Sequence, residues 1–554
     1  MTETSATNFA DRARAALAKV WDRDDVRFIA HCLLLLGLLI WMRPMFEDRI
    51  PKWAYERPSI FWALFQDDFQ LLIRGARSRE AVIPRLLFLL VPTALIVWGQ
   101  GRMTWDHWEH GKALRALIIG LLAILVWSGS TSGYNMYLDR LHLLDRVLLI
   151  GLALLSWRTP LAVPFAVRWA WIMVREPGVP IPLDSFEYRP VHEVLVVFSV
   201  FVWASFIRSY RTAHVLLVGL ACWASYYFAA GVAKVDFGPK WSWLFEDRLS
   251  NLAFTAYMRG WLSFIPEATY MRLSEFLARF DGVLTWFTLI FELGALFSYF
   301  LNRRLAQLWI GLGIVFQFGI FALTGICFWK WMLANLVFLL FVSRTGAPVF
   351  KDATRHWLVI AFAVALVFFS RGRTYFNPQN GVAWYDTRML LDYTIHAIGE
   401  SGESYLVAPG FLKPMDLHFS QGDLCYATTE RKATAIYGVT GSYQTMTALE
   451  KLKKAEDALR IEKRGRRCKA GKRARFDDFF KKYFKSVNRY GRRPYGWLSW
   501  LGRPRHLWLF PKGDLYDFQE PVERIELWRE VVVKFADEAH RFDKRRVHVV
   551  EITE

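Results

Sequence analysis

The stretch Tyr226-Tyr227-Phe228-Ala229-Ala230-Gly231-Val232-Ala233-Lys234-Val235-Asp236 ends an apolar run over 213–233 and delivers it to a lysine and an acid. A run of that length meets the ~20 residues that a helix needs to cross the hydrocarbon of a bilayer. Runs at 193–210 and 305–324 repeat the pattern. Around them, 54% of the 554 residues are hydrophobic and only 22% charged, with 26 Trp and 44 Phe. That composition excludes disordered, collagen-like and disulfide-rich classes and argues against an ordinary soluble enzyme. The fold class expected is a polytopic α-helical membrane bundle followed by a smaller α+β, β-rich domain.

Apolar segments recur at 27–45, 82–99, 113–129, 143–157, 193–210, 213–233, 282–300, 305–324, 326–343 and 356–370. The ~20-residue rule thus predicts about nine or ten spans, of which 143–157 and 356–370 are short. Segments 58–73 and 163–175 are aromatic-rich but carry charges, a pattern that fits interfacial or re-entrant helices. Residues 1–26 are polar and lack the features of a cleavable signal peptide. The expected domains are this segment, a transmembrane domain over 27–370 and a C-terminal domain over 371–554. Basic loops at 208–211, 302–304 and 344–355 are separated by even numbers of spans and share a side, which the positive-inside rule makes cytoplasmic. The loop from Lys234 and everything after 371 are then exoplasmic. Counting back through ten spans puts the N-terminus outside too, which marks one early span as missed or counted twice. In the C-terminal domain, Ala433–Tyr437, His506–Phe510 and Arg546–Ile552 read as strands, and 446–464 and 522–541 as amphipathic helices.

Net charge is +19, and residues 451–505 alone hold 20 Lys and Arg against five Asp and Glu. This segment suits anionic lipid headgroups, an acidic polypeptide or a solvated surface; on an exoplasmic domain no nucleic acid is expected. Of the five cysteines, Cys32, Cys222 and Cys327 lie in apolar segments as small hydrophobes. Cys425 and Cys468 can pair if their compartment is oxidising. There is no CxxC or Cys/His zinc spacing, so no metal is expected.

Lys234 is the most informative polar residue. An ammonium at the edge of hydrocarbon is poorly solvated, and the neutral amine that desolvation favours is the form a general base requires. The plainer reading is a lysine snorkelling beside Trp241 and Trp243. Glu292, inside Leu289-Ile290-Phe291-Glu292-Leu293-Gly294, is costly at membrane depth and needs a partner or a cavity. Gln317 can hydrogen-bond between helices, and Lys330 stands between Trp329 and Trp331 in a cation–π setting. His142, with Asp139, is a candidate proton-binding group at a membrane edge. His107 and His110 lack a third ligand for a metal.

The segment Tyr227–Asp236 resembles the lysine signature of the vitamin K-dependent gamma-carboxylase superfamily, which includes the bacterial HTTM (horizontally transferred transmembrane domain) proteins. There an apolar helix runs into Ala-Gly-Val, a lysine and a Leu-Asp pair, with a tryptophan soon after; Trp241 is the match here. Glu292 resembles the acid of a later helix, Met332-Leu333-Ala334 the Met-Leu-Ala of the next, and Trp384–Met389 loosely the Trp-x-x-Met strand that opens a lumenal domain. The resemblance covers about 27–430. It implies a lysine that deprotonates vitamin K hydroquinone, whose anion reacts with O₂ to give the epoxide and a strong base. That base removes a γ-proton from glutamate, and CO₂ adds. Lys234 would be the hydroquinone base. Ala233 replaces the first of the family's two lysines. Asn135-Met136 carries methionine where histidine is expected, with His142 a looser alternative, and Gln317 replaces a later histidine.

The resemblance implies an integral protein of a bacterial inner membrane, an enzyme using reduced vitamin K or menaquinol with O₂ and CO₂. Lys234 and His142 are then the catalytic candidates, with Asp236, Glu292, Gln317 and Trp241 in support. The lipid bilayer and a lipid quinone are the expected partners, and the basic segment would hold an acidic peptide or anionic lipid. A non-catalytic scaffold or lipid-binding protein of the same fold is the alternative, and a transporter through Glu292 and Lys330 the third reading.

Overall fold

A computed structural model describes residues 24–44, 94, 96–99, 103–131, 143–175, 188–370, 376, 383–412, 424–468, 473–491, 502 and 504–552. The N-terminal part is helical: α1 (Asp24–Pro44), α2 (Gly111–Ser130), α3 (Leu143–Arg158), α4 (Val163–Arg175), α5 (Arg189–Ala204) and α6 (Thr212–Val235). Short helices α7 (Ser242–Glu246), α8 (Leu249–Met258) and α9 (Glu267–Ala278) follow. The chain then re-enters the bundle as α10 (Asp281–Ser298), α11 (Arg303–Thr324), α12 (Trp329–Leu340), α13 (Ala347–Ala353) and α14 (Trp357–Ser370). Four of these, α2, α6, α10 and α11, are long and apolar enough to cross a membrane. A fifth arises if Trp329–Thr345 and α13, bent by 88° at their junction, form one span. The nine or ten spans expected are thus not all full-length apolar helices among the described residues; 58–73 and most of 82–99 lie outside those residues.

Helix α6 is apolar all round, and 94% of its most apolar window is buried inside the protein. A helix of that kind belongs at the centre, and α5, α10, α13 and α14 pack around it. Helix α4, read from the sequence as interfacial, runs antiparallel beside α5. Phe165 lies 5.7 Å from Trp203 at one end, and Trp171 stacks on His192 at 4.2 Å toward the other. Two charges in a short apolar segment hide this pass from a hydropathy reading, because its buried neighbours come from other helices.

Ion pairs fix the end of the bundle from which α1 starts. Asp25 meets His214 and His356, and Asp24 meets Arg211 at 3.4 Å, so α1 begins on the face that carries the basic 208–211 loop. The counted spans put the start of α1 and that loop at opposite ends; in the structure they share one end. Arg303 reaches the carbonyls of Val342 and Ser343, joining the other two basic loops on one face.

After residue 383 the chain builds an α+β domain on the opposite face. Its strands are β1 (Tyr385–Asp386), β2 (Met389–Gly399), β3 (Ser404–Leu406), β4 (Arg431–Lys432), β5 (Val439–Thr440), β6 (Arg466–Arg467), β7 (Val522–Phe535) and β8 (Glu538–Glu551), and a four-stranded antiparallel sheet takes the order β3-β2-β7-β8. Three segments correct the sequence reading. Residues 522–541, expected as a helix, form β7 and the start of β8, joined by a tight turn in which Ala536 has φ 51°. Strand β7 is covered on both faces near its end, so Val531, Val532 and Val533 are all buried and the alternation of a half-buried strand is lost. Ala433–Tyr437 is a bend leading into a 3-10 turn, with Tyr437 at φ 71°. The expected helix 446–464 is two, α15 (Tyr443–Glu450) and α16 (Asp457–Arg464). Within the basic segment, α17 (Arg473–Tyr490) buries Phe476, Phe479, Phe480, Tyr483, Phe484 and Val487, an i, i+3, i+4, i+7, i+8, i+11 stripe.

The domain is bonded to the α7–α9 excursion. Thr255 Oγ1 donates to the Tyr437 carbonyl at 3.0 Å, Arg259 pairs with Asp392 at 3.5 Å, and Lys534 pairs with Glu275 at 2.6 Å. An extended segment docks on the bundle: Cys327 N donates to His506 O at 2.6 Å, Trp508 N to Gly325 O at 3.0 Å, and Phe510 N to Gly260 O at 2.9 Å. Cys468 is disulfide-bonded, whereas Cys32, Cys222 and Cys327 are thiols. The remaining cysteine is Cys425, whose side chain lies outside the described residues.

Candidate functional site

Lys234 occupies the last turn of α6, and Glu292 lies three turns into α10, which packs along it. Their approach depends on Gly231. A Cβ there would stand 3.0 Å from both Glu292 Cβ and Leu293 Cδ2, so only glycine lets the two helices close without displacement. The Lys234 ammonium then donates to both carboxylate oxygens of Glu292, at 2.7 and 2.8 Å. The two side chains are 10% and 5% exposed, so the pair is out of water. A buried ion pair of this kind is costly to break on one side, because the remaining charge is left uncompensated.

The indole of Trp243 covers the lysine, with Nζ 5.4 Å from its ring centre. Trp241, expected in that role, is half exposed, and Trp243 in the first turn of α7 is buried instead. Asp236 follows the end of α6 and is exposed. It caps the helix through its backbone N–H, and Glu292 is the acid against the amine. On the outer side of α10, Trp286, Phe287 and Ile290 are exposed apolar side chains, and Phe245 packs on Trp286 at 6.2 Å. The pair thus lies one layer beneath an aromatic surface.

Deeper in the bundle a polar layer crosses α6, α11 and α12. Trp223 Nε1 donates to Asn335 Oδ1 at 3.1 Å, and Asn335 Nδ2 donates to the Tyr227 hydroxyl at 2.9 Å. Gln317 reaches the same hydroxyl, while its Oε1 has no hydrogen-bond partner among the described residues. Trp331 closes this layer against Trp223, Tyr226 and Tyr227. Lys330 is buried too: its Nζ lies 3.1 Å from His506 Nε2 and 4.7 Å from the Trp329 ring centre. The cation–π reading of Lys330 is part of its environment, and the histidine comes from the C-terminal domain.

Above Trp243, on the domain side, two carboxyls meet. Asp386 N donates to Asp247 Oδ1 at 2.8 Å. Burial pushes the Asp247 carboxyl up to about 7, and burial with the Asp247 charge beside it pushes Asp386 well above the carboxylate range. One proton shared between two buried carboxyls is the expected result.

His142, Asp139 and the 134–138 stretch lie outside the described residues. His107 accepts from Thr104 N at 3.0 Å in a short turn on the other face. The structure therefore joins Lys234 with Glu292, places Gln317 at Tyr227, and sets Asp236 and Trp241 at the surface. Sequence reasoning named Trp243 only as part of an aromatic belt beside the lysine, and passed over Asn335 and His506. Trp243 was visible as the second tryptophan after the lysine, but Asn335 and His506 meet their partners across 112 and 176 residues respectively, and no local spacing reveals that. Compared with known proteins, the chain matches no family model, no curated protein and no solved structure.

Proposed function

We propose that Lys234 and Glu292 form the proton-handling centre of a membrane enzyme that oxidises a reduced lipid quinone with O₂, in the manner of the vitamin K-dependent gamma-carboxylase superfamily. The observation that carries this reading is a buried amine held by a single carboxylate beneath an aromatic, outward-facing surface. In its neutral form the amine of Lys234 accepts the hydroxyl proton of a hydroquinone, and Glu292 accepts it in turn. An aromatic ring arriving from the bilayer meets Trp286, Phe287 and Phe245 before the amine, and the exclusion of water favours a strong base. The hydroquinone and O₂ give the epoxide and water. Where carboxylation follows, a glutamate loses its γ-proton and gains CO₂. The C-terminal domain, with its disulfide-bonded Cys468 and basic helix α17, suits an exoplasmic compartment and an acidic peptide. The inner membrane of a bacterium, and nine or more passes through it, belong to the same proposal.

The test is turnover of reduced vitamin K or menaquinol with O₂ by the full chain in nanodiscs, wild type beside Lys234→Ala. Loss of epoxide formation by ~10²–10⁴-fold, the range of a removed general base, supports the reading. Equal background rates in both, together with absent quinone binding, favour the scaffold reading instead. In that case the pair would only pin α6 to α10, as its close packing at Gly231 would also require.

A further inference from the structure

At the other end of α6 the structure gathers a second set of chemistry-bearing residues that the quinone reading does not use. Asp25 in the first turn of α1, His214 in the first turn of α6 and His356, which immediately precedes α14, each present a ligand atom, and these atoms all lie within 4.8 Å of one another. Asp25 Oδ1 stands 2.8 Å from His356 Nδ1 and 3.3 Å from His214 Nε2. The two imidazole rings meet edge to face, 4.4 Å apart. Twenty residues of helix separate His214 from Lys234, about 30 Å at 1.5 Å per residue, so this is a different site.

Asp25 faces both rings, yet one ligand nitrogen is left without a hydrogen bond. His214 is 2% exposed, and its Nε2 has no hydrogen bond among the described residues. His356 Nε2 and Asp352 Oδ2 are also buried without one. Buried polar atoms are almost always satisfied, so a buried ring nitrogen that stands 3.3 Å from Asp25 without a hydrogen bond calls for an explanation. Phe28 packs on the His214 ring at 4.8 Å and fixes its plane. Nearby Arg211 and Arg208 point at Asp24, at 3.4 and 4.0 Å, which places their charges on that carboxylate rather than on Asp25.

We infer that Asp25, His214 and His356 bind a divalent first-row transition ion. Two imidazoles and one carboxylate are the donor set of zinc and non-haem iron sites rather than of calcium or magnesium, which take oxygen ligands. Ligand bonds of about 2.0–2.2 Å put neighbouring ligand atoms about 3.3 Å apart, and two of the three spacings are already near that value. With the His356 Nδ1 lone pair on the ion, its Nε2–H faces Asp352 Oδ1, 3.7 Å away. A carboxylate behind a metal-bound histidine is the usual orienting contact. A cavity of about 470 Å³ opens onto the His214 side of the cluster; Asp24 and Glu109 line it, as do Arg208 and Arg211, whose charges Asp24 faces. Because the three ligands come from the starts of α1, α6 and α14, the ion ties the N-terminal helix to the bundle core.

The test uses the full chain in detergent, stripped with chelator and titrated with Co²⁺ as a spectroscopic probe and Zn²⁺ as competitor. One Co²⁺ per chain, with ligand-field absorption that Zn²⁺ abolishes, is expected. His214→Ala and His356→Ala each remove the absorption, and Asp352→Asn weakens binding ~10–100-fold, the range for an orienting partner. His214→Gln and His356→Asn serve as size-conserving variants, and thermal unfolding without metal checks that each is folded. Wild-type unfolding shifts upward with Zn²⁺, whereas the folded variants do not respond. Absent Co²⁺ binding by the wild type, or binding unchanged in folded His214 and His356 variants, overturns the site. Neither measurement involves a quinone or Lys234, so the outcome is independent of the proposed enzymatic reading.

Discussion

Lys234 and Glu292 show how a single glycine can set up a charge pair. With Gly231 at the crossing of α6 and α10, the two side chains meet at 2.7 Å. Replacing Glu292 with Leu leaves the ammonium buried and alone, and a cost of about 3–5 kcal/mol is expected for breaking such a pair on one side. The double variant Lys234→Met, Glu292→Leu recovers most of that loss, since a hydrophobic pair of similar volume is often neutral. Thermal unfolding of the three proteins in one detergent checks this; a double variant as unstable as the single would mean the charges are not coupled. Gly231→Leu separates the helices and loses the pair without touching either charge. It is expected to abolish any Lys234-dependent quinone turnover.

Helix α17 lies in the most basic part of the chain, yet its fold is decided by its aromatic stripe. Phe480 and Phe484 are wholly buried, while Lys482 is exposed and pairs with Asp478 at 2.8 Å. Phe480→Ala is therefore expected to cost about 3–5 kcal/mol. Lys482→Ala is expected to cost no more than about 0.5 kcal/mol, the value of an exposed i,i+4 pair. Chemical unfolding of the full chain followed by hydrogen exchange on 473–490 separates the two. The segment was legible as basic and passed over as a helix, because its charges dominate the composition although its apolar positions fall at helical intervals. Strand β7 erred the other way: burial of successive valines on both faces erased the period of two, and a charged, apolar-flecked stretch read as amphipathic.

The whole molecule is held across its middle by contacts between the α7–α9 excursion and the C-terminal domain, and one of them titrates. Asp247 rises from 3.8 to about 7 because the interface buries it. Between those values the folded protein keeps a proton that the unfolded chain has lost, so stability falls as pH rises from about 4 to about 7 and is level beyond. Asp386 acts in the same direction. Unfolding midpoints at pH 5 and pH 8 are expected to differ, with pH 5 the more stable, and Asp247→Asn to reduce the difference. An unchanged slope in that variant would place the titration elsewhere. At the same scale, the meeting of Asp25 with His214 and His356 corrected the topology, since it fixes the face from which α1 starts.

Read alone, the residues determined that the chain is a helical, membrane-bundle-like protein with a separate mixed domain, because long apolar runs admit few other solutions. They also determined that Glu292 requires a partner or a cavity, because a charge at such depth does not stand alone. Only the tertiary structure decided that Lys234 is that partner, 58 residues apart. It also chose Trp243 over Trp241, brought His506 to Lys330, and converged Asp25, His214 and His356 from three helices. Those choices rest on which helix faces meet. That is a property of packing between distant segments, and no periodicity within one segment carries it.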